Sequence, residues 1–226
     1  WVWWAFALMG VATVFFYARL WRRSGVLTDL EFYEQRYSGK AASFVRGFRA
    51  LYLGLFFNCM IMATVNLAAV KIAGILFGLP RWQTLLGVGV LNVVFATHAG
   101  LWGVLIIDMI QFFIMMSAIV AAAWFALQAP GVGGLGPLMT KVSAMTGPGG
   151  LNYVNFLPDF TNNWDLALAV FIMPITVQWW AVWYPGSEPG GGSYIAQRML
   201  ASKGENDALK AVLFFNVANY VLRPWP

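Results

Sequence analysis

Charged residues are scarce in this chain: Asp, Glu, Lys and Arg together make up 10% of its 226 residues. Soluble domains carry about 25%. Hydrophobic residues instead make up 60%, and the mean hydropathy is +0.68. This balance excludes a soluble enzyme and predicts an all-α integral membrane protein.

Cysteine and histidine occur once each, as Cys59 and His98. A lone cysteine excludes a disulfide framework, and without a Cys or His cluster we expect no metal site within this chain. The sequence also lacks a phosphate-binding glycine loop and a hydrolase nucleophile elbow. We therefore expect a protein that is not an enzyme, and any transport would be driven by an ion gradient or run downhill.

Long stretches without a charged side chain divide the sequence. About 20 apolar residues cross a hydrocarbon core, and five stretches are long enough: Trp1–Ala18, Ala50–Val70, Trp82–Ile107, Met109–Thr140 and Leu166–Ser187. A sixth, Ala211–Leu222, is shorter. We predict about six transmembrane helices in one transmembrane domain, residues 1–226, that is truncated at both ends.

Basic residues are unevenly distributed between the connecting loops. Seven of them lie between Arg19 and Arg49. If that loop is cytoplasmic, alternate crossings place ten of the 14 Lys and Arg residues on the cytoplasmic side, as the positive-inside bias requires. The long segment Gln128–Asn163 is then external. We predict a short amphipathic helix near Leu135–Met145 within it, and its length suits a lid, a vestibule or a simple covering loop.

The apolar stretch that begins at Leu166 ends in an unusual segment. Residues 179–193 contain two prolines, four glycines and one acid. Both residue types oppose a helix, and at membrane depth such a break survives only in a cavity or within protein. Secondary transporters bind solutes at broken helices. Two interpretations stay open: an ordinary span followed by a loop, or a broken helix with solute contacts at Trp183, Ser187, Glu188, Gly191, Gly192 and Ser193.

Polar side chains inside the predicted spans are few, and ionisable groups at membrane depth are usually functional. Asp108 lies about two turns into its helix, roughly 12 Å from the end at 1.5 Å per residue. Gln111 shares its face at i+3. We predict that the two border an ion pathway, with a polar contact between helices as the alternative. Asn58 is a further candidate solute contact, although asparagine within spans often only joins helices.

Four short motifs resemble the sodium:solute symporter family. Thr28 to Lys40 resembles its cytoplasmic loop T-x-x-E-F-x-x-x-R-Y/F-S, and Ala96 to Gly103 resembles its turn T-x-x-G-G-L-x-A. Asp108 to Gln111 resembles T-D-x-x-Q, and Tyr194 to Lys203 resembles Y-I-x-Q-R-x-L-A-A-K. The chain departs from these family motifs at three positions. It has Ala99 where the turn usually has its first glycine, Gly103 where the family has alanine or serine, and Ile107 where the family has threonine.

The resemblance implies a ten-helix core of two inverted repeats, similar to the leucine transporters, of which this chain would cover about helices two to seven. The broken segment is then the sixth core helix. The family's sodium ion lies between the first and eighth core helices, so we expect the sodium ligands outside this chain. Asp108 matches the family aspartate beside the cytoplasmic ion exit path, and Gly192 and Ser193 match substrate-contacting positions of sugar carriers.

The predicted function is sodium-coupled symport of a small polar or anionic organic solute across the plasma membrane by a multi-pass protein. Its partners would be the solute, sodium and the lipid bilayer, with no nucleic acid. Two other classes stay open: a symporter-like sensor module of a histidine kinase, and a polytopic structural or channel protein. A sensor would continue into coiled-coil and ATP-binding regions beyond Pro226.

Overall fold

The computed structural model describes residues 1–147, 151–180 and 193–224. The chain forms two units, one from Trp1–Arg46 with Val120–Pro226 and the other from Gly47–Ile119. Helices dominate both units. Among the described residues the strands are one short antiparallel pair, β1 (Thr146–Gly147) and β2 (Leu151–Asn152). The all-helical prediction is confirmed.

Helices follow the predicted apolar stretches. In chain order they are α1 Val2–Ser24, α2 Asp29–Arg36, α3 Lys40–Phe77, α4 Arg81–Gln128, α5 Leu135–Ala144, α6 Trp164–Thr176, α7 Ser193–Leu200 and α8 Glu205–Asn216. π-helical turns lie in α1, α3 and α6, and a fourth continues α8: Thr13–Tyr17, Ala50–Phe57, Leu168–Ile172 and Val217–Leu222.

Three helical segments of the described chain are long and apolar enough to cross a membrane: Val2–Ser24, Lys40–Phe77 and Gly100–Gln128. A shorter apolar helix, Trp164–Thr176, is α6. Of the about six predicted spans, three are therefore matched by described helices of sufficient length and apolarity. The ten-helix inverted-repeat core stays a prediction.

Helix α4 breaks at Gly100, where φ is 53° and ψ is −155°. A positive φ favours glycine because it has no Cβ. The break lies within the predicted turn and confirms its position. The helix after the break, Gly100–Gln128, confirms that Asp108 lies about two turns inside it and that the long connecting segment begins at Gln128, so the charge-free stretch Met109–Thr140 is offset from the helix at both ends. The helix ends at Gln128 since Pro130 disfavours helical backbone in the residue before it.

The first unit is organised around α1 and α8, which run antiparallel. Near the start of α1, Trp4 Nε1 donates a hydrogen bond of 2.9 Å to the Tyr220 carbonyl. Near its end, Arg23 forms an ion pair of 3.0 Å with Glu205, the first residue of α8. Between these contacts lies a buried core from α1, α7 and α8: Val14, Ala18, Ala196, Met199, Ala208 and Val212.

Gly10 permits a close approach of α1 and α8. A Cβ at this position would lie 1.7 Å from Asn216 Oδ1. Both residues are buried, and Asn216 Nδ2 donates to the Val212 carbonyl at 2.8 Å. Asn216 Oδ1 has no hydrogen-bond partner among the described residues. It lies against the Gly10 Cα, where a weak Cα–H···O contact is available, so only glycine fits here.

Trp1 connects the start of α1 to the long segment between α5 and α6. Its Nε1 donates to the Phe156 carbonyl at 2.8 Å, and its ring packs edge-on against Phe156 and Phe171. The long segment and Trp1 therefore lie at the same end of the first unit, as alternate crossings predict. Within that segment the predicted amphipathic helix is confirmed as α5, which ends one residue earlier, at Ala144.

The contact between Gly10 and Asn216 predicts that Gly10→Ala destabilises the protein. The added methyl group must push the helices apart or rotate a buried amide, and overpacking of this kind costs about 1–3 kcal/mol. Thermal unfolding of the purified full-length protein in detergent should show a lower Tm.

Gly47→Ala is the matched control, because that helical glycine has no neighbouring atom within 4 Å of a Cβ. It should be neutral or gain up to about 1 kcal/mol from helix propensity. In an Asn216→Ala background the Gly10→Ala penalty should shrink, since the clashing amide is gone. A penalty that is equal with and without Asn216 would contradict the proposed contact.

Candidate functional site at a discontinuous helix

Helix α6 stops within an apolar stretch, two residues after Pro174. Proline lacks an N–H and cannot donate within the helix. The π-helical turn Leu168–Ile172 directly precedes this region, and Val177 leaves the helical conformation with φ −122° and ψ −47°. A 3₁₀ turn, Gln178–Trp180, follows. At 1.5 Å per residue α6 extends about 20 Å, less than a hydrocarbon core of about 30 Å.

The next described helix is α7, Ser193–Leu200, whose eight residues extend about 12 Å. The two helices lie along opposite ends of α1. Phe171 of α6 packs against Trp1 with ring centroids 4.7 Å apart, whereas the carbonyl of Leu200 in α7 accepts a hydrogen bond from Arg22. The end of α6 and the turn Gln178–Trp180 contact the first half of α1.

Of the two interpretations left open, an ordinary span would run from Leu166 to Tyr184, whereas within the described residues the α-helix ends at Thr176. The stretch is free of charge, so hydropathy gives no sign of the end. Pro174 was the available signal, since a proline inside a helical pattern ends or kinks it. The interruption thus begins several residues before Pro185.

The predicted solute contacts in this segment fall mostly outside the described residues: Trp183, Ser187, Glu188, Gly191 and Gly192. Ser193 is the first residue of α7. A role for any of them in binding stays a prediction.

The other predicted site residues belong to the second unit. Asp108 lies eight residues after the Gly100 break, about 12 Å along the helix, and is exposed, as is Gln111 one turn later. Asn58 is half-buried and begins the regular part of α3 after its π-helical turn. The structure therefore describes these residues and Ser193 in separate units, and it confirms the shared helix face of Asp108 and Gln111.

An arginine cluster at the end of α1 holds the connection between α7 and α8. Arg23 binds Glu205 through two hydrogen bonds of 3.0 Å. Arg22 donates to the Leu200 and Lys203 carbonyls at 3.3 and 3.5 Å. The hydrogen bond from Arg23 lowers the pKa of Glu205, which keeps the carboxylate ionised. Such exposed pairs are weak in energy, so their main effect is to fix where α7 ends.

Sequence reasoning did not identify this cluster. Arg23 and Glu205 are 182 residues apart, and neither residue lies in a local motif that indicates a partner. The available signal was only general: arginines at the end of one helix and acids in the first turn of another.

Residues of the Thr28 to Lys40 motif have structural roles in the loop after α1. The Thr28 hydroxyl caps α2 by accepting from the Glu31 N–H at 3.3 Å, and the Glu31 carboxylate accepts from the Leu27 N–H at 2.8 Å. This reciprocal arrangement resembles a capping box. Glu34 forms an ion pair with Arg46 and connects α2 to the start of α3. The motif thus stabilises the turn between two spans.

Comparison with protein families gives a match over nearly the whole chain. The model of the sodium:solute symporter family matches residues 1–221. Comparison with curated proteins and with solved structures gives no match. The family match agrees with the four motifs and with the apolar helices. On this match, the chain belongs to the sodium:solute symporter family.

Proposed function

We propose that this chain forms part of a sodium-coupled symporter that carries a small polar or anionic organic solute across the plasma membrane, with the solute bound at the interruption between α6 and α7. Family membership supports sodium-coupled symport in general. The observation that supports the location is the end of α6 at Thr176 beside α1. Main-chain groups freed by a broken helix can bind a solute only where protein or water surrounds them.

Residues after Trp180 supply the chemistry in this proposal. Three consecutive glycines, Gly190 to Gly192, let a solute approach the main chain closely. Ser187 and Ser193 offer hydroxyl groups, and Trp183 offers an aromatic wall. Glu188 attracts a cation, binds a basic group of the solute or takes up a proton during the cycle. Asn58 is a further candidate contact, and sodium would be held by residues outside this chain.

Substitutions in the segment should impair uptake. Loss of a hydrogen bond to a charged group costs about 1.5–3 kcal/mol, roughly ten- to hundredfold in rate or affinity, so Glu188→Gln should lower uptake by such a factor. Gly191→Leu should block close approach to the main chain. The measurement is sodium-driven uptake of candidate radiolabelled solutes into proteoliposomes that contain the full-length protein.

Two variants control for general damage. Asp207→Asn changes an exposed acid in the first turn of α8, and Gly136→Leu changes a glycine of α5 with open space around it. Both should transport like the parent protein. Normal uptake by Glu188→Gln and Gly191→Leu as well would mean that the segment is a loop and that the solute binds elsewhere.

Asp108 is proposed to hold sodium transiently on its way to the cytoplasm. At an effective dielectric constant near 20, a carboxylate attracts a cation 4 Å away by about 4 kcal/mol before desolvation. Asp108→Asn should therefore slow turnover or raise the sodium concentration for half-maximal uptake, while expression stays near normal.

Asp165→Asn is the control for Asp108, because it removes an acid of the first unit, at the start of α6. Its sodium dependence should match that of the parent. If Asp108→Asn has the same sodium dependence as Asp165→Asn, Asp108 is a structural contact and not part of the ion pathway.

A further inference from the structure

A cavity of about 410 Å³ lies at the Trp1 end of the first unit. We call it the outer cavity. Five Asn and Asp side chains contribute to its lining: Asn152, Asn155, Asp159, Asn162 and Asn163. Trp1 and Phe156 form an aromatic wall, and Leu166 and Val170 of α6 form an apolar one. Small-molecule sites measure about 300–1,000 Å³, so the cavity is large enough for a small ligand.

We propose that the outer cavity is a binding site for a small organic ammonium ion. The proposal rests on the proposed transport function, because it assigns the cavity as the first place where the solute meets the carrier. The sequence predicts a solute that is either polar or anionic. The present proposal selects a polar solute with a positively charged group and excludes an anion.

The charge of the cavity supports a cation. Among the described residues that line the cavity, Asp159 has the ionisable side chain and none is Lys, Arg or His. An anionic solute would approach the Asp159 carboxylate without a basic partner, whereas an ammonium group would be attracted to it. The carboxamide oxygens of the asparagines add acceptors for ammonium N–H groups.

Asp159 keeps its negative charge because the loop hydrogen-bonds its ionised form. Its Oδ1 accepts from the backbone N–H groups of Thr161 and Asn162 at 2.8 and 3.0 Å, and Oδ2 accepts from Asn162 Nδ2 at 2.8 Å. These bonds, led by that from Asn162, lower the pKa of Asp159 to about 2. The Thr161 side chain contributes a further hydrogen bond, so the carboxylate is hydrogen-bonded within its own loop and would attract a cation through its charge.

The aromatic wall is held in place by its own contacts. The Trp1 ring packs against Phe156 and Phe171 with centroids 4.9 and 4.7 Å apart, and its Nε1 is bonded to the Phe156 carbonyl. A fixed indole attracts an organic cation within about 6 Å of its face. Such a wall suits an ammonium group with alkyl substituents better than a strongly hydrated inorganic ion.

The location connects the outer cavity to the discontinuous helix. Leu166 and Val170 belong to the first two turns of α6, so an occupant lies against the part of α6 that precedes the interruption at Val177. The alternate-crossing topology places this end of the unit outside the cell. A solute held here would be positioned to move along α6 towards the interruption.

The test is a binding titration that does not depend on transport. The full-length protein with Cys59→Ala and Val154→Cys is labelled at position 154 with a trifluoromethyl thiol reagent, and its ¹⁹F NMR shift is followed in detergent without a sodium gradient. Val154 is exposed and next to Asn155 of the cavity lining. The probes are tetramethylammonium chloride, tert-butanol and potassium pivalate, which have similar size and a positive, zero and negative charge.

We expect a saturable shift with tetramethylammonium and none with pivalate. Asp159→Asn should weaken the tetramethylammonium affinity tenfold or more, whereas Asp165→Asn, which removes an acid six residues away that does not line the cavity, should leave it unchanged. The asparagine oxygen can still accept the backbone N–H groups of Thr161 and Asn162, so the loop should keep its fold. An unchanged Tm would verify this.

Three results would overturn the proposal: no saturable shift with tetramethylammonium, equal binding of tert-butanol, or equal loss of binding in Asp159→Asn and Asp165→Asn. Uptake assays keep this proposal separate from the proposed function. If the protein takes up a candidate solute in a sodium-dependent manner but does not bind tetramethylammonium, the outer site alone is refuted. If it binds tetramethylammonium but takes up no candidate solute, the transport function alone is refuted.

Discussion

The constraint on which this fold depends is the cost of unpaired main-chain groups in hydrocarbon, several kcal/mol for each. Helix α6 contains a proline and stops after about 20 Å, too short to cross a bilayer core alone. The chain can continue at that depth only if protein surrounds the freed groups. In the first unit α1 supplies that protein, because it contacts α6, the turn Gln178–Trp180 and α7 along its length.

For this role α1 must itself be fixed, and α8 fixes it. Gly10 allows the Asn216 amide to lie against the backbone of α1, and small core residues such as Ala18 and Ala208 bring the helices together below that point. Without a hydrophobic driving force between helices in lipid, close packing of this kind is the main source of association. The two ends of the pair formed by α1 and α8 differ in chemistry. Near the start of α1, tryptophans donate hydrogen bonds to carbonyls near Tyr220, and at the end of α1 arginines contact the start of α8.

Much of this architecture could be predicted from the sequence. Charge-free stretches located the apolar helices, the glycine motif located the turn at Gly100, and periodicity located α5. Each of these signals is local. The end of α6 at Thr176 was not located because the stretch Leu166–Ser187 carries no charge, so hydropathy does not change where the helix ends.

Contacts between distant residues could not be predicted in the same way. The pair Gly10 and Asn216 and the pair Arg23 and Glu205 depend on how α1 and α8 pack, and a single sequence does not specify which faces meet. The candidate solute contacts from Trp183 to Gly192 were selected from backbone chemistry, and they lie outside the described residues. Their role therefore rests on the proposal that the interruption lines an aqueous pathway.

The most direct test of that claim is the pattern of thiol reactivity through the interruption. Single cysteines from position 177 to position 193, in the full-length protein with Cys59→Ala, would be treated with a small membrane-impermeant thiol reagent, with and without sodium. A water-lined interruption predicts a continuous reactive run that sodium alters. Two results would contradict the account. Reactivity that repeats about every 3.6 residues from α6 to position 187 would indicate an unbroken helical span. No reactivity at any position would indicate a buried loop.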